Sequence, residues 1–365
     1  MISSIYIHIP FCKNICSYCD FCKNFYNENI VSKYLKCLEL EVKEKYNNEV
    51  INTLYIGGGT PSSLSLNELN KLFSITNEFE LNDEYEFTFE CNYDDITEEL
   101  LILLKQNKVN RVSIGIQTFN KKYSTFLGRK IDKKEMINKI ELVKKYFKNI
   151  NLDLMYGFNS ESLSELKEDL ESFCKLDVAH ISTYCLIIEE HTKLFINKIK
   201  EMDEEIQNGM YNLIVETLKK HGYIHYEISN FSKEGFQSKH NLTYWNNNEY
   251  YGFGLGASGF VNNVRYDNTK SISNYLKGNT KVYEEFINKE QKIKDEVMLN
   301  LRKTNGINKN EFKFKYKKNI KDLFNVDYLI NTGYLVEVEK SIYIPEELLF
   351  ISNEIILKIL DSYKA

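Results

Sequence analysis

The chain has 365 residues, of which 43% are hydrophobic and 27% charged, a balance typical of a folded globular protein. Lys and Arg number 47 against 52 Asp and Glu, and this net charge of −5 excludes the strongly basic composition of a dedicated nucleic-acid-binding protein. No signal peptide and no apolar run of roughly 18 residues is present, so we predict a cytoplasmic protein without an integral membrane segment, with peripheral membrane contact left open.

Short apolar segments alternate with longer helical patterns through the first 220 residues. The predicted strands are 4–9, 53–56, 86–90, 111–114, 151–155 and 180–186. The predicted helices between them are 31–45, 65–79, 98–106, 133–146 and 164–174. This alternation is typical of parallel β/α units, and we predict an α/β fold with a partial (β/α)6 TIM-like barrel over residues 1–220. The functional sites of such sheets lie at the carboxyl ends of the strands.

The pattern changes after a long predicted helix at 201–220. Residues 221–288 are rich in aromatic residues, Asn and Gly, and we predict an extension that packs on the barrel. Predicted helices at 292–303, 309–318 and 320–331, a hairpin at 334–344 and a last helix at 347–363 then indicate a small winged-helix-like α+β domain over residues 289–365. Residues 312–316 alternate in polarity, so a strand there is equally compatible with the sequence.

Three cysteines follow the first predicted strand. Cys12, Cys16 and Cys19 form a CxxxCxxC run, which can hold three irons of a 4Fe–4S cubane and leave the fourth iron open to a small molecule. Zinc is the alternative, although its sites usually combine a CxxC pair with a second, distant pair. We interpret Cys22 as a passive thiol. Eight cysteines in a long chain without secretory features indicate a reducing compartment.

Glycines and aromatic residues near the cysteines are candidates for cofactor contacts. Gly58, Gly59 and Thr60 follow the second strand, and glycines there let the backbone approach a ligand closely, although any tight turn uses the same residues. Tyr18 precedes the third cysteine, and Tyr6 lies on the first strand. For both tyrosines, ordinary packing is the alternative interpretation.

Polar residues lie at or after the ends of successive predicted strands. They are Glu90, Gln117, Arg129 and Asp153. Carboxylates suit the amino and ribose hydroxyl groups of a nucleoside cofactor, and a guanidinium suits a carboxylate. Each residue alone is equally explained as a structural polar group, but their common position at one edge favours a binding site.

The segment HNLTYW at 240–245 contains the only tryptophan of the chain. The imidazole of His240 beside aromatic rings is suited to be an axial ligand of haem iron. A structural histidine held by hydrogen bonds is the alternative.

Taken together, these motifs resemble the radical S-adenosylmethionine (SAM) family of oxygen-independent coproporphyrinogen III oxidase-like proteins, and most of all its haem-chaperone branch, HemW. The resemblance is carried by YIHIPFCKNICSYCDF at 6–21, LYIGGGTPSSL at 54–64, NRVSIGIQTFN at 110–120, LGRK at 127–130, NLDLMYGF at 151–158 and KHNLTYW at 239–245. It implies cluster ligation by Cys12, Cys16 and Cys19. It implies SAM contacts from Tyr6, Gly58, Gly59, Thr60, Glu90, Gln117, Arg129 and Asp153, with Tyr18 beside the cofactor.

The branch implies a protein that binds haem, with His240 in its HNxxYW motif, and passes it to apo-haemoproteins. Whether the chain also catalyses a reaction stays open. The alternative function is the oxidase reaction, a radical decarboxylation of coproporphyrinogen III propionates to vinyl groups, or another radical SAM modification of a porphyrin. Two departures argue against the oxidase: no long arm precedes the cysteine run, and Cys22 follows Cys19 by three places where that branch has a cysteine two places on.

Overall fold

The computed structural model describes residues 2–364. Its strands are β1 (Ser4–Ile9), β2 (Phe11–Cys12), β3 (Asn24–Phe25), β4 (Ile51–Gly58), β5 (Leu81–Asn92), β6 (Arg111–Gln117), β7 (Asn149–Tyr156), β8 (His180–Cys185), β9 (Ile224–Glu227), β10 (Asn230–Ser232), β11 (Tyr251–Phe253), β12 (Ser258–Val261), β13 (Val264–Asn268), β14 (Lys281–Phe286), β15 (Ile307–Asn308), β16 (Val336–Glu337) and β17 (Ser341–Tyr343).

The helices are α1 (Glu28–Lys45), α2 (Leu66–Thr76), α3 (Glu98–Gln106), α4 (Lys121–Phe126), α5 (Lys133–Tyr146), α6 (Leu163–Cys174), α7 (Lys193–Ile196), α8 (Glu204–Lys220), α9 (Lys239–Trp245), α10 (Ile272–Tyr275), α11 (Lys289–Asn300), α12 (Lys309–Tyr316), α13 (Ile320–Leu323), α14 (Val326–Asn331) and α15 (Ser352–Leu360). Short 3₁₀ helices occupy Pro61–Ser63, Tyr93–Asp95 and Glu346–Ile351. None of the helices within residues 2–364 is long and apolar enough to cross a bilayer.

The large sheet has the order β11-β1-β4-β5-β6-β7-β8-β10-β9. Strands β1 and β4 to β8 are parallel neighbours, as expected from consecutive β/α units. β11 adds to β1 in parallel, and the β9–β10 hairpin adds to β8 in antiparallel orientation. The predicted partial barrel is confirmed, and the sheet continues into strands of the predicted extension beyond residue 220.

The side chains of the barrel strands alternate between a polar interior and an apolar layer under the helices. On β6, Val112, Ile114 and Ile116 belong to the hydrophobic core, whereas Arg111 and Ser113 face a cavity inside the barrel. Successive strand residues point to opposite faces, so this alternation follows directly from the sequence. A TIM barrel is usually filled by apolar layers. Here the interior is polar and leaves room for a ligand.

The C-terminal residues form a small α+β unit around the three-stranded sheet β15-β17-β16. Residues 312–316, which the sequence left open between helix and strand, lie in helix α12, where Phe312 and Tyr316 are buried four residues apart. The helix predicted at 320–331 is two helices, because the backbone of Phe324 is extended at φ −134° and ψ 153°. Only part of the predicted last helix is α-helical, since its first turns are 3₁₀.

Candidate cofactor site

A cavity of about 490 Å³ opens at the carboxyl ends of the parallel strands. It brings together most of the site residues predicted from the sequence. They are Cys12, Cys16, Tyr18, Cys19, Gly58, Gly59, Thr60, Glu90, Gln117, Arg129 and Asp153. Tyr6 and His240 do not line it.

The cysteine loop is fixed to the barrel at both of its sides. β2 and β3 pair in parallel and close the loop, which places Cys12 opposite Phe25. In the middle of the loop, the Ser17 amide donates to the Leu127 carbonyl at 3.1 Å and the Ser17 hydroxyl to the Phe126 carbonyl at 2.9 Å. Because these bonds hold the backbone, the cysteine side chains are free to face the cavity.

The three thiols fit a cubane cluster. Each cysteine of such a cluster binds a different iron, so the sulfur atoms need to face one common space rather than converge on one point. Cys12, Cys16 and Cys19 are free thiols on the wall of the cavity. No trio of Cys, His, Asp or Glu side chains within residues 2–364 converges closely enough to chelate a single ion. Burial raises the pKa of Cys12 to about 11, while a hydrogen bond from the Thr60 hydroxyl at 3.4 Å opposes this rise.

The glycine turn lies against the cysteine loop. Gly58 has φ +122°, and a Cβ there would lie 2.8 Å from the His8 ring. A Cβ on Gly59 would lie 2.8 Å from the Pro10 backbone and 3.0 Å from the Cys12 sulfur. Only glycine permits both the conformation of Gly58 and the close approach at Gly59. The turn therefore brings backbone groups beside the candidate cluster ligands.

Glu90 and Asp153 are buried carboxyl groups on the cavity wall. Glu90 accepts hydrogen bonds from the Tyr55 hydroxyl at 2.7 Å and from the Gly58 amide at 3.1 Å. Asp153 accepts one from the Asn151 amide at 2.8 Å. Burial raises the pKa of Glu90 to about 7 and that of Asp153 to about 6, and these hydrogen bonds oppose the rise. A cationic ligand group beside them would favour their ionised forms.

Gln117 and Arg129 complete the rim. Gln117 has φ +70°, a left-handed conformation that is unusual for a residue other than glycine and marks local strain of the kind that clusters at ligand sites. The Nη2 of Arg129 donates to the Asn92 side-chain oxygen at 3.0 Å and to the Gly115 carbonyl at 2.9 Å. These bonds orient the guanidinium toward the cavity, where Tyr18 also lies.

Tyr6 faces a second cavity of about 290 Å³ on the other side of the cysteine loop. Its hydroxyl lies 2.9 Å from Nδ1 of His8, whose Nε2 lies 2.7 Å from the Cys22 carbonyl. Cys22 also lines this second cavity and not the first. Tyr6 and Cys22 therefore line a different cavity from the three candidate cluster cysteines.

His240 is 1% exposed and lies at the amino end of the barrel. Its Nδ1 is 2.8 Å from the Thr53 hydroxyl and its Nε2 is 2.8 Å from the Tyr244 hydroxyl. Its ring packs on Tyr55, with ring centres 5.0 Å apart. Burial lowers the pKa of His240 to about 3, and Arg111 contributes to the decrease. Both ring nitrogens are engaged, so this arrangement corresponds to the structural interpretation, and axial ligation stays a prediction.

Several residues of the cavity wall were missed by the sequence analysis. They are Tyr55, Arg111, Ser113, Asn151, Ser182 and Tyr184. The missed signal was the two-residue alternation within each strand, because Tyr55 and Ser113 each lie between two buried apolar neighbours.

Comparison with known proteins identifies the family. Residues 6–173 match the model of the radical SAM superfamily, whose members carry a 4Fe–4S cluster and SAM. The heme chaperone HemW of Lactococcus lactis is 37% identical over 370 residues, which cover 98% of this chain and 97% of the relative. HemW of Bacillus subtilis is also 37% identical over 370 residues, with coverage of 96% and 97%.

The fold is shared with a solved radical SAM enzyme. The coproporphyrinogen III oxidase HemN of Escherichia coli superimposes with a TM-score of 0.84 at 20% identity, over 98% of this chain and 89% of HemN. At that identity the match establishes the fold only. The sequence similarity along nearly the whole length, together with the cysteine run, shows that the chain belongs to the radical SAM family of the HemW haem chaperones.

Proposed function

We propose that this protein is a haem chaperone that holds a 4Fe–4S cluster and SAM in the cavity at the carboxyl end of its barrel, and that it binds haem and passes it to apo-haemoproteins. One observation carries the proposal: the three thiols and the strand-end polar groups line a single cavity, in a chain similar along its length to proteins named heme chaperones. A reducing cytoplasm, where the thiols stay free, is the compartment that suits it.

The residues of the cavity divide into two groups in this proposal. Cys12, Cys16 and Cys19 would ligate three irons, and coordination would deprotonate the thiols, overriding the raised pKa of Cys12. The remaining rim residues would hold SAM beside the cluster ligands. Glu90 and Asp153 suit its ammonium and ribose hydroxyl groups.

Arg129 suits the methionine carboxylate of SAM, since a guanidinium forms two parallel hydrogen bonds with a carboxylate. Gly58, Gly59 and Thr60 contribute backbone and hydroxyl groups beside the cysteines, and Gln117 and Tyr18 close the rim. Tyr6 and His240 do not line the cavity, and a direct contact of either residue with a ligand there stays a prediction.

Oxidase turnover is not favoured, because the full-length relatives are named chaperones and HemN supports the fold alone. An anaerobic assay separates the two functions. Reconstituted protein is given SAM, a reductant and coproporphyrinogen III, and in parallel it is loaded with haem and mixed with an apo-haemoprotein. We expect stoichiometric haem binding and transfer without a vinyl product. Sustained formation of protoporphyrinogen would overturn the chaperone proposal.

A further inference from the structure

Arg111 is a buried cation whose polar atoms are largely unpaired. The residue is 2% exposed and is among the largest fully buried side chains of the protein. Its Nε is buried without a hydrogen-bond partner, and its hydrogen bond to the Thr88 hydroxyl is long, at 3.5 Å. None of the ion pairs found within residues 2–364 includes it. A buried donor without an acceptor is unfavourable, so the state of this guanidinium indicates a missing hydrogen-bond partner.

The carboxylates that share the cavity are already engaged by other donors. Both oxygens of Glu90 accept hydrogen bonds, from the Tyr55 hydroxyl and the Gly58 amide. Asp153 accepts from Asn151, its neighbour on β7. These carboxyl groups lie near enough for Arg111 to lower the pKa of each, but neither forms a direct ion pair with it. The negative charge of these carboxyl groups offsets part of the free-energy cost of burying the Arg111 cation. The N–H donors of the guanidinium are still available to a ligand.

Arg111 lies at the inner end of the cavity. It is the first residue of β6, whereas the cysteine loop follows the carboxyl end of the parallel strand β1. Asn241 of helix α9 lines the same cavity from the amino end of the barrel. The cavity therefore extends from the thiols into the barrel, and Arg111 faces it from the side opposite to the cysteines.

We infer that Arg111 is the binding site for a carboxylate of a bound ligand at the inner end of this cavity. Two ligands of the proposed function, on which this inference rests, carry that group: a haem propionate and the methionine carboxylate of SAM. The position favours the propionate, because in the proposed function Arg129, on the rim of the same cavity, would hold the methionine carboxylate of SAM. A guanidinium with unused donors forms the paired hydrogen bonds that a carboxylate accepts.

The test combines variants of Arg111 with ligands that lack the carboxylate. Haem is compared with haem dimethyl ester by absorbance titration, and SAM with decarboxylated SAM by calorimetry. Wild-type protein, Arg111→Gln and Arg111→Lys are each titrated with all four. Arg265→Gln is the matched control, because Arg265 is paired with Asp295 at 2.8 Å and does not line the cavity. Thermal unfolding of every variant verifies that it is folded.

We expect wild-type protein to bind haem about 10- to 100-fold more tightly than its dimethyl ester, as one charged hydrogen-bonded contact provides. Arg111→Gln should lose this preference, and Arg111→Lys should keep part of it. If Arg111→Gln instead loses the preference for SAM over decarboxylated SAM, and its preference for haem over the dimethyl ester is unchanged, SAM is the source of the carboxylate.

Equal weakening of acid and ester in Arg111→Gln would overturn the inference, because Arg111 would then act only as a counter-ion of Glu90 and Asp153. Unchanged affinities would overturn it as well. If Arg111→Gln does not fold, the wild-type comparison still decides, since equal affinity for acid and ester contradicts a carboxylate site. Wild-type protein that binds neither haem nor SAM would contradict the proposed function instead, so the two failures are distinct.

Discussion

At the carboxyl end of the barrel the thiols of Cys12, Cys16 and Cys19 face an open cavity, whereas at the amino end the side chain of His240 on helix α9 is buried and hydrogen-bonded at both ring nitrogens. There Glu86 accepts hydrogen bonds from the backbone amides of Lys239 and His240, at 3.1 and 3.0 Å. The first end is built to receive a ligand and the second to close the barrel. Two motifs of equal prominence in the sequence therefore differ in burial and in hydrogen bonding.

Loss of the cluster is the largest effect expected from a change at the open end. Replacement of Cys12, Cys16 or Cys19 by Ser removes a thiolate from the cavity wall, and each variant should fail to retain the 4Fe–4S cluster. Iron and sulfide content and the visible absorbance after anaerobic reconstitution measure this. Cys22→Ser is the matched control and should keep the cluster, because Cys22 faces the second cavity. Zinc in place of iron, or cluster loss in Cys22→Ser, would contradict the assignment.

At the closed end, His240→Ala should reduce the stability of the fold. The change removes two hydrogen bonds, leaves Thr53 and Tyr244 without their partner and creates a cavity beside Tyr55. Such losses cost about 2–5 kcal/mol of the free energy of unfolding. Urea unfolding of the protein without haem measures the effect.

The control for that experiment is His191→Asn, which changes an exposed histidine at φ +68°, a conformation that Asn tolerates. Its stability should equal that of the wild type. If His240→Ala is as stable as the wild type but no longer binds haem, the imidazole of His240 is a ligand of the haem iron. That result would contradict the structural interpretation of His240.

The sequence predicts features that depend on local contacts better than features that depend on contacts between distant parts of the chain. The bounds of β1, α3 and α5 were predicted to the residue, because capping and periodicity are local signals; the Thr97 hydroxyl, for example, caps α3 at 3.2 Å. The cysteine run and the glycine turn are also local. The burial of His240 was not predictable, because it depends on Thr53, which is 187 residues away in the chain.

The pH dependence of SAM binding should reflect the titratable groups at the carboxyl end of the barrel and not His240 at the amino end. The pKa of Glu90 is about 7 and that of Asp153 about 6, both raised by burial, whereas His240, with a pKa of about 3, stays neutral. Because SAM is cationic at its sulfonium and ammonium groups, its affinity should fall by about tenfold per titrating group as the pH decreases from 8 to 5. Calorimetry across this range measures it.

The free energy of unfolding should depend on pH in the opposite direction to the affinity for SAM. Carboxyl groups with raised pKa values bind more protons in the folded state than in the unfolded state, so the free energy of unfolding should decrease as the pH rises from about 4 to about 6 for Asp153 and to about 7 for Glu90, and should level off above. Glu90→Gln should weaken both dependences. A SAM affinity that is independent of pH in the wild type would contradict the roles of Glu90 and Asp153.

The smallest expected effect concerns the attachment of the cysteine loop at the open end. Lys13 forms an ion pair with Asp95 at 2.7 Å, and the Lys13 side chain is 57% exposed. Exposed ion pairs contribute about 0–1 kcal/mol and are weakened by salt. Asp95 also accepts a hydrogen bond from the Ser62 hydroxyl at 3.0 Å, so it keeps a partner when Lys13 is removed. Lys13→Ala should therefore unfold within about 1 kcal/mol of the wild type and retain its cluster. Cluster loss in this variant, measured as iron content, would mean that the loop depends on this ion pair rather than on the backbone bonds of Ser17.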